Sequence, residues 1–358
     1  MDKPLLIEID KLENILKEET SLFITVPPKT LEVADTDSFF RNIIRKTGSS
    51  HIFYAGSALP VKDIQTLYNS IRKKDFSTIV ALGGGTIMDI GKIISIALSN
   101  SFENIEQILD NPSGYKNSKK LICIPTTCGT GSEATHFAVV YKNKKKFSIA
   151  EKSITPDHVI LHHHLLINLP EKVRNSTVLD AVAQAVESMW AKNADEESTK
   201  FSEEALKNLL LGLKTDCKEQ KLKLFQKGSF FAGKAINISK TTASHAISYP
   251  LSAHFGIPHG VAVFLTLPTI ARYNFINSNT DCFPKLFKLF GVSGINELVN
   301  NMKKIMSAMG FSLKLNDYGI RNKDIDLIAR ESIVPGRSDN NPADLSPDSV
   351  SELLLEII

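Results

Sequence analysis

In the first half of the chain, apolar residues come in short unbroken runs. Ser21 to Val26, His51 to Tyr54, Thr78 to Leu82 and Lys120 to Ile124 each read as a buried strand, the first ended by Pro27 and Pro28. The segments between them carry a helical period. Ile64, Leu67 and Ile71 share one face of Val61 to Lys74, and Met88 to Leu98 reads as a further helix. Strand–helix alternation of this kind predicts a mostly parallel α/β sheet covered on both faces. Phe137 to Ile149 reads as a hairpin turning at Lys142 to Lys145. Beyond Leu169 and Pro170 the texture changes to long helical patterns: Ser176 to Lys192, Glu196 to Leu213, Lys221 to Ser239 and Ile295 to Met309. The boundary falls near residue 168, dividing an α/β domain (1–168) from an all-α domain (169–358).

Composition narrows the function classes. The 358 residues suit two domains, and 42% hydrophobic against 23% charged residues can bury a substantial core. With 42 basic and 39 acidic residues the formal charge is +3, too balanced for a nucleic-acid binder. Cys123, Cys128, Cys217 and Cys282 are scattered without metal-knuckle or redox spacing and read as reduced thiols. The first ten residues are too acidic, and their apolar run too short, for a signal peptide. No stretch reaches the roughly 18–20 apolar residues of a membrane span. A soluble cytoplasmic protein is expected, with neither nucleic acid nor membrane as partner.

Candidate chemistry gathers in three places. His245 lies in a helix-compatible run and His259, fourteen residues on, in a Pro-His-Gly turn. A helix and a return loop can bring both imidazoles to one point, and imidazole is the commonest ligand for a divalent transition metal. Asp180 is a candidate third ligand. Gly83, Gly84, Gly85 and Thr86 follow a strand and open a helix. Glycines permit positive φ and close approach of the backbone to a ligand, and a helix N-terminus offers N–H groups to a phosphate. The turn matches neither the G-x-G-x-x-G fingerprint nor a P-loop, so a purely structural turn stands as the alternative. Asp89 reads either as a first-turn acid favoured by the helix dipole or as a cofactor contact. Thr126, Thr127 and Thr130 lie in a second loop, Pro125 to Glu133, at the end of another strand, where open α/β folds bind ligands.

Together, Gly83 to Asp89, Pro125 to Glu133, Asp180 to Gln184, and His245 through Pro258, His259 and Gly260 resemble the iron-containing, or group III, alcohol dehydrogenase family, in the family's order and across nearly the whole chain. The resemblance implies a dinucleotide-binding α/β domain, a helical metal- and substrate-binding domain of the dehydroquinate synthase-like fold, and a cleft between them where cofactor and substrate meet. It implies NAD(P)H at Gly83, Gly84, Gly85, Thr86, Asp89, Thr126, Thr127 and Thr130, with Lys146 at the cofactor ribose. Phe137 to Tyr141, Gln184 to Trp190, His245 to Leu251 and Asn340 to Pro342 further resemble the branch that reduces phosphonoacetaldehyde to 2-hydroxyethylphosphonate.

The family's metal set is one Asp and three His. Asp180, His245 and His259 match three of the four, while the fourth position, one helical turn after Asp180, holds Gln184. Three readings follow: an open site on three ligands, an amide oxygen from Gln184 as the fourth, or a site that holds no metal tightly. The metal is Fe, Zn, Ni or Mn. Tyr249 stands where many relatives carry a further His, and reads as a proton donor or as packing against Pro250. Without a metal, Gln184, His245 or Tyr249 polarises the carbonyl. Lys240, Arg337 and Asn341 are the candidates for an anionic substrate tail. Lys29, after the first strand, is compatible with a 2′-phosphate, so NADPH is expected alongside NADH. The alternatives are an alcohol dehydrogenase of an unphosphorylated substrate, a dehydroquinate synthase-like cyclase and, given Gln184, a catalytically silent nucleotide-binding protein. His162, His163 and His164 on an extended strand would point to alternate faces and share no metal. A homodimer pairing through an exposed N-terminal strand is the expected assembly.

Overall fold

The computed structural model describes residues 4–27, 36–56, 59–100, 102–110, 115, 118–142 and 145–358. Backbone contacts divide the chain into two compact units, Met1–Leu169 and Pro170–Ile358.

The first unit runs β1 (Leu5–Leu6), α1 (Lys11–Leu16), β2 (Ser21–Thr25), α2 (Thr36–Thr47), β3 (Ser50–Phe53), α3 (Val61–Ile71), β4 (Thr78–Gly83), α4 (Gly85–Asn100), α5 (Glu106–Asp110), β5 (Lys120–Pro125), β6 (Phe137–Lys142), β7 (Lys145–Ala150) and β8 (His158–Val159). Six strands form one all-parallel sheet in the order β1-β8-β5-β4-β2-β3. Strands β2 and β4 are buried along their whole length, which is why they read as unbroken apolar runs rather than alternating ones. Phe23, Val80, Leu82, Ile122 and Ile124 pack with Leu12 and Leu16 of α1 on one face. On the other face Gly91 lets α4 lie close: a Cβ there would sit 2.9 Å from that of Ala81. In the antiparallel pair β6–β7, Lys142 and Lys145 close the ladder as register partners, and the two residues between them lie outside the described set.

The second unit is helical: α6 (Glu171–Trp190), α7 (Glu196–Lys214), α8 (Lys218–Ser239), α9 (Ala243–Phe255), α10 (His259–Asn277), α11 (Phe283–Phe290), α12 (Ile295–Ala308), α13 (Ile325–Glu331) and α14 (Pro347–Leu355). Helix α6 is its axis, buried almost throughout from Asn175 to Trp190. Enclosed on its several faces, α6 packs against α7, α8 and α10. At the crossing with α10 only glycine fits, since a Cβ on Gly260 would fall 1.9 Å from the Ser176 carbonyl oxygen. No described helix is long and apolar enough to cross a membrane.

Candidate functional site

In the second unit, three helices bring the ligand candidates together. Asp180 lies mid-way along α6, His245 is the third residue of α9, and His259 is the first residue of α10. The Pro-His-Gly segment is therefore a helix start with Pro258 at its N-cap, not the return loop its composition suggested. His245 Nε2 lies 3.3 Å from Asp180 Oδ1, His259 Nε2 lies 3.9 Å from the same oxygen, and all three donor atoms fall within 4.8 Å of one another. Asp180 and His245 are buried, while the His259 side chain is 43% exposed. Asp180 Oδ1 is buried yet receives no hydrogen bond. Two imidazole nitrogens converging on such an oxygen suit a divalent transition ion.

Glu187, two turns beyond Asp180 on α6, organises this centre. It is fully buried. One carboxylate oxygen accepts from His245 Nδ1. The other accepts from Thr242 Oγ1 at 2.8 Å and Ser244 N at 2.7 Å, so a side chain of α6 caps the N-terminus of α9. With Nδ1 committed to Glu187, Nε2 is the nitrogen left to face Asp180. Burial alone would lower the His245 pKa, but the Glu187 and Asp180 carboxylates outweigh it and push it up to about 10. Burial likewise raises Glu187, and the charge of His245 with the bonds from His245 and Thr242 brings it below its ordinary value. Surroundings that hold a proton on a buried imidazole are those that hold a cation in its place.

Gln184 is buried one turn after Asp180 on the same helix. Tyr249 is half-buried one turn after His245, its ring nearly parallel to that of His259, with centroids 6.3 Å apart. The Ser248 hydroxyl lies 3.3 Å from His259 Nδ1.

Lys240, at the C-cap of α8, is exposed and has φ 61° and ψ 179°. It is the only non-glycine residue with positive φ among those described. That region is almost reserved for glycine. Asn340 holds the turn in place: its Nδ2 donates to the carbonyls of both flanking residues, Ser239 (2.8 Å) and Thr241 (3.1 Å). Its Oδ1 accepts from Asn193 N and its carbonyl from Lys192 N, which ties the same turn to the end of α6. Asn341 is otherwise engaged. It is fully buried, and its amide bonds Asn274 in both directions and the Ala343 carbonyl, which removes it as a contact for an anionic substrate. Arg337 is half-buried and donates from Nη1 to the Gly336 carbonyl at 3.0 Å.

In the first unit the two loops at the ends of β4 and β5 face each other. Thr126 N donates to the Gly83 carbonyl at 3.0 Å. Gly83, Gly84 and Gly85 do not have positive φ, against expectation. A side chain would clash at two of them, with a Cβ 2.4 Å from Ile87 at Gly83 and 2.9 Å from Thr130 at Gly85, and would press on Thr127 at 3.2 Å at Gly84. Within these two loops only Gly131, beyond the threonines, adopts positive φ, at 60°. Helix α4 opens at Gly85, so Thr86 lies in its first turn, where N–H groups lack intrahelical partners and can meet a phosphate. Asp89 lies beyond that first turn. Its carboxylate accepts from Ser132 Oγ (2.8 Å) and Val139 N (3.0 Å), binding α4 to the threonine loop and to β6. Lys92, wholly buried one turn later, donates to Ser132 Oγ, Thr135 Oγ1 and the Phe137 carbonyl. Asp89 and Lys92 thus fix the loop that presents Thr126, Thr127 and Thr130. The side chains of Lys146 and Lys29 lie outside the described residues.

His162, His163 and His164 are not an extended strand. His163–Leu166 is a 3-10 turn, and the three rings lie 4.3–6.2 Å apart, so the alternation expected for a strand does not hold.

Comparison with known proteins agrees with this geometry. The profile of iron-containing alcohol dehydrogenase matches residues 8–163, and that of the Fe-containing alcohol dehydrogenase family, C-terminal, matches residues 175–358. The 4-hydroxybutyrate dehydrogenase of Clostridium kluyveri is 27% identical over 287 residues, covering 76% of each chain. The phosphonoacetaldehyde reductase of Streptomyces viridochromogenes is 25% identical over 344 residues, covering 87% of this chain and 84% of its own. The fold is that of the sulfoacetaldehyde reductase from Bifidobacterium kashiwanohense in complex with NAD+, with a TM-score of 0.89, 24% identity, and coverage of 99% and 96%. The chain belongs to the iron-containing alcohol dehydrogenase family, and is an NAD(P)-dependent oxidoreductase of the alcohol and aldehyde class that works with a divalent metal.

Proposed function

We propose that this enzyme reduces a small aldehyde carrying a phosphonate group, phosphonoacetaldehyde being the best candidate, to the corresponding alcohol. The observation that carries this reading is Lys240. An exposed ammonium sits five residues before His245, on backbone that is strained and clamped on both sides by Asn340. Strain held in place by its surroundings points to function, and a fixed cation beside the imidazole centre suits an anionic tail. Arg337 is the second candidate for that tail. A relative of nearly the same length that is a phosphonoacetaldehyde reductase supports the same choice.

When bound, a nicotinamide cofactor would supply the hydride and a divalent ion would supply Lewis acidity toward the carbonyl oxygen. Asp180, His245 and His259 would hold the ion, with Gln184 on the same face of α6 as an amide oxygen in reserve. Glu187 fixes the tautomer of His245. Gly83, Gly84, Gly85 and Thr86 with Thr126, Thr127 and Thr130 would cradle the dinucleotide, and Asp89 and Lys92 keep that cradle closed. The Tyr249 hydroxyl would deliver the proton to the product alkoxide. Four unpaired cysteines favour a cytoplasmic setting, and the exposed edge strand Leu5–Leu6 favours pairing of two copies.

Steady-state oxidation of NADH and NADPH with phosphonoacetaldehyde, propanal and succinic semialdehyde tests the reading. In Lys240→Ala, KM for phosphonoacetaldehyde rises about tenfold or more, the scale of a lost charge-assisted contact, while propanal is unaffected. Equal losses on both aldehydes would refute the role of Lys240. Preference for succinic semialdehyde would instead place the enzyme beside the hydroxybutyrate dehydrogenase.

A further inference from the structure

The second unit contains a cavity of about 370 Å³ among the ends of α6, α7, α8, α11 and α12, lined by residues with no part in the site described above. Its floor is apolar: Leu210, Phe225 and Phe290 are buried, and Leu213 and Ile305 complete it. Its wall carries Arg174, Lys214, Lys221 and Lys304 against a single acid, Glu171. The whole chain has a formal charge of only +3 from 42 basic and 39 acidic residues, so four cations against one acid around one cavity is a local concentration.

Little within the protein neutralises these cations. Among the described residues, Lys214, Lys221 and Lys304 have no ion-pair partner, unlike Lys200, Lys207 and Lys223 elsewhere on α7 and α8, each paired with a glutamate four residues before it. Arg174 reaches Glu171 at 3.4 Å, but that carboxylate is 76% exposed and the pair is correspondingly weak. Arg174 Nε is buried, and no described protein group accepts from it. Leaving such a donor unmet costs free energy, and clefts lined by one sign of charge concentrate counter-charge. The volume falls in the range of small-molecule sites, with an apolar bed and a few polar groups that fix orientation.

We infer that this cavity is a binding site for an amphipathic carboxylate, an anionic head on a medium-length alkyl or single-ring aryl body. The head lies against Arg174, with Lys214, Lys221 and Lys304 around it. The body lies on Leu210, Phe225 and Phe290. The site is separate from the aldehyde site: Arg174 precedes Asp180 by six residues of α6, about 9 Å along the helix axis.

The test is calorimetric titration of the full-length protein with octanoate, octanol and octylamine, read without turnover and so independent of which aldehyde is the substrate. Octanoate is expected to bind saturably, and octanol and octylamine at least about tenfold more weakly. Lys214→Gln with Lys304→Gln changes two exposed side chains and leaves the fold intact. It should weaken octanoate about tenfold without altering aldehyde turnover, and Arg174→Gln should weaken it further. Equal affinity for octanoate and octanol, or unchanged affinity in the lysine variant, overturns the assignment. So does loss of octanoate binding in His245→Ala, since the ligand would then be occupying the aldehyde site.

Discussion

At Gly83–Gly85 the atoms that matter are those left out: any Cβ would meet Ile87, Thr127 or Thr130, and the backbone is otherwise ordinary. At Asp180, His245 and His259 the atoms that matter are charged, buried and held by a further charge on Glu187. The first region is built by steric exclusion and the second by electrostatics at low dielectric. The two therefore fail differently. A steric region is damaged by adding atoms, is repaired by removing their neighbours, and is indifferent to pH. An electrostatic region is damaged by deleting one partner and leaving the other uncompensated.

The largest effect is expected at the charged centre. Glu187→Leu removes both the carboxylate that holds the buried His245 ring and the cap of α9, and should cost about 3–5 kcal/mol in chemical denaturation. A cost below about 1 kcal/mol would mean that Glu187 is a bystander. Next is a charge that intrudes on the steric region. Burial pushes the Glu133 carboxyl up to about 7, above its ordinary 4.5, with its own backbone N–H and Lys92 opposing the rise. A raised carboxyl pKa means that the folded state binds more protons than the unfolded chain. The resulting stability is fully present below pH 4.5 and is lost as pH rises through 7, by about 3 kcal/mol. Glu133→Gln should remove that slope. Parallel denaturation curves for the two proteins at pH 5 and pH 8 would contradict it.

A smaller loss is expected at the glycine turn. Gly85→Ala should cost about 1–2 kcal/mol by overpacking and raise KM for the nicotinamide cofactor. Thr130→Ala in the same chain should restore much of the stability, because the three atoms nearest that Cβ all belong to the Thr130 side chain. Absence of coupling in the double-mutant cycle would break the steric account. The smallest effect has the opposite sign. Lys240→Gly relieves a backbone conformation that glycine adopts freely and should stabilise the protein by about 1 kcal/mol in thermal unfolding, while weakening an anionic substrate. Were the variant less stable, the strain at Lys240 would not be real.

Much of this was legible in the sequence. Strands β2, β4 and β5 read correctly because burial on both faces leaves continuous apolar runs. Strand β3, expected to be buried, is half-exposed, and the two-residue β1 and β8 are too short to carry a pattern. Helices α6–α8 and α12 read correctly because they are long. Asp180, His245 and His259 were nameable from residue type and spacing, although His259 was assigned to a turn. A Pro-His-Gly sequence has the composition of a loop, and the contact that makes it a helix start, Gly260 against Ser176, lies more than 80 residues away in the chain. Glu187 was missed in any functional role for a similar reason. A glutamate in a helix ordinarily faces water, and only the fold shows it at the N-terminus of another helix. A periodicity signal does exist, since Asp180, Gln184 and Glu187 fall on one face of α6. At the glycine turn the expected positive φ is absent, because sequence cannot separate a glycine needed for its φ from one needed for its missing side chain. Asn341 was offered for the substrate when its amide is spent within the unit, whereas its neighbour Asn340 holds the strained turn.

Asn340 also sets a schedule for biogenesis. The turn that carries Lys240 and leads into His245 is clamped by a residue one hundred positions downstream, 18 before Ile358. A ribosome that has already released α6, α9 and α10 has made every proposed ligand but not the amide that fixes their entry turn. A chain truncated before residue 340 should therefore emerge with its histidines present and the Lys240 turn loose, so the entry to this centre is fixed only once residue 340 has been made.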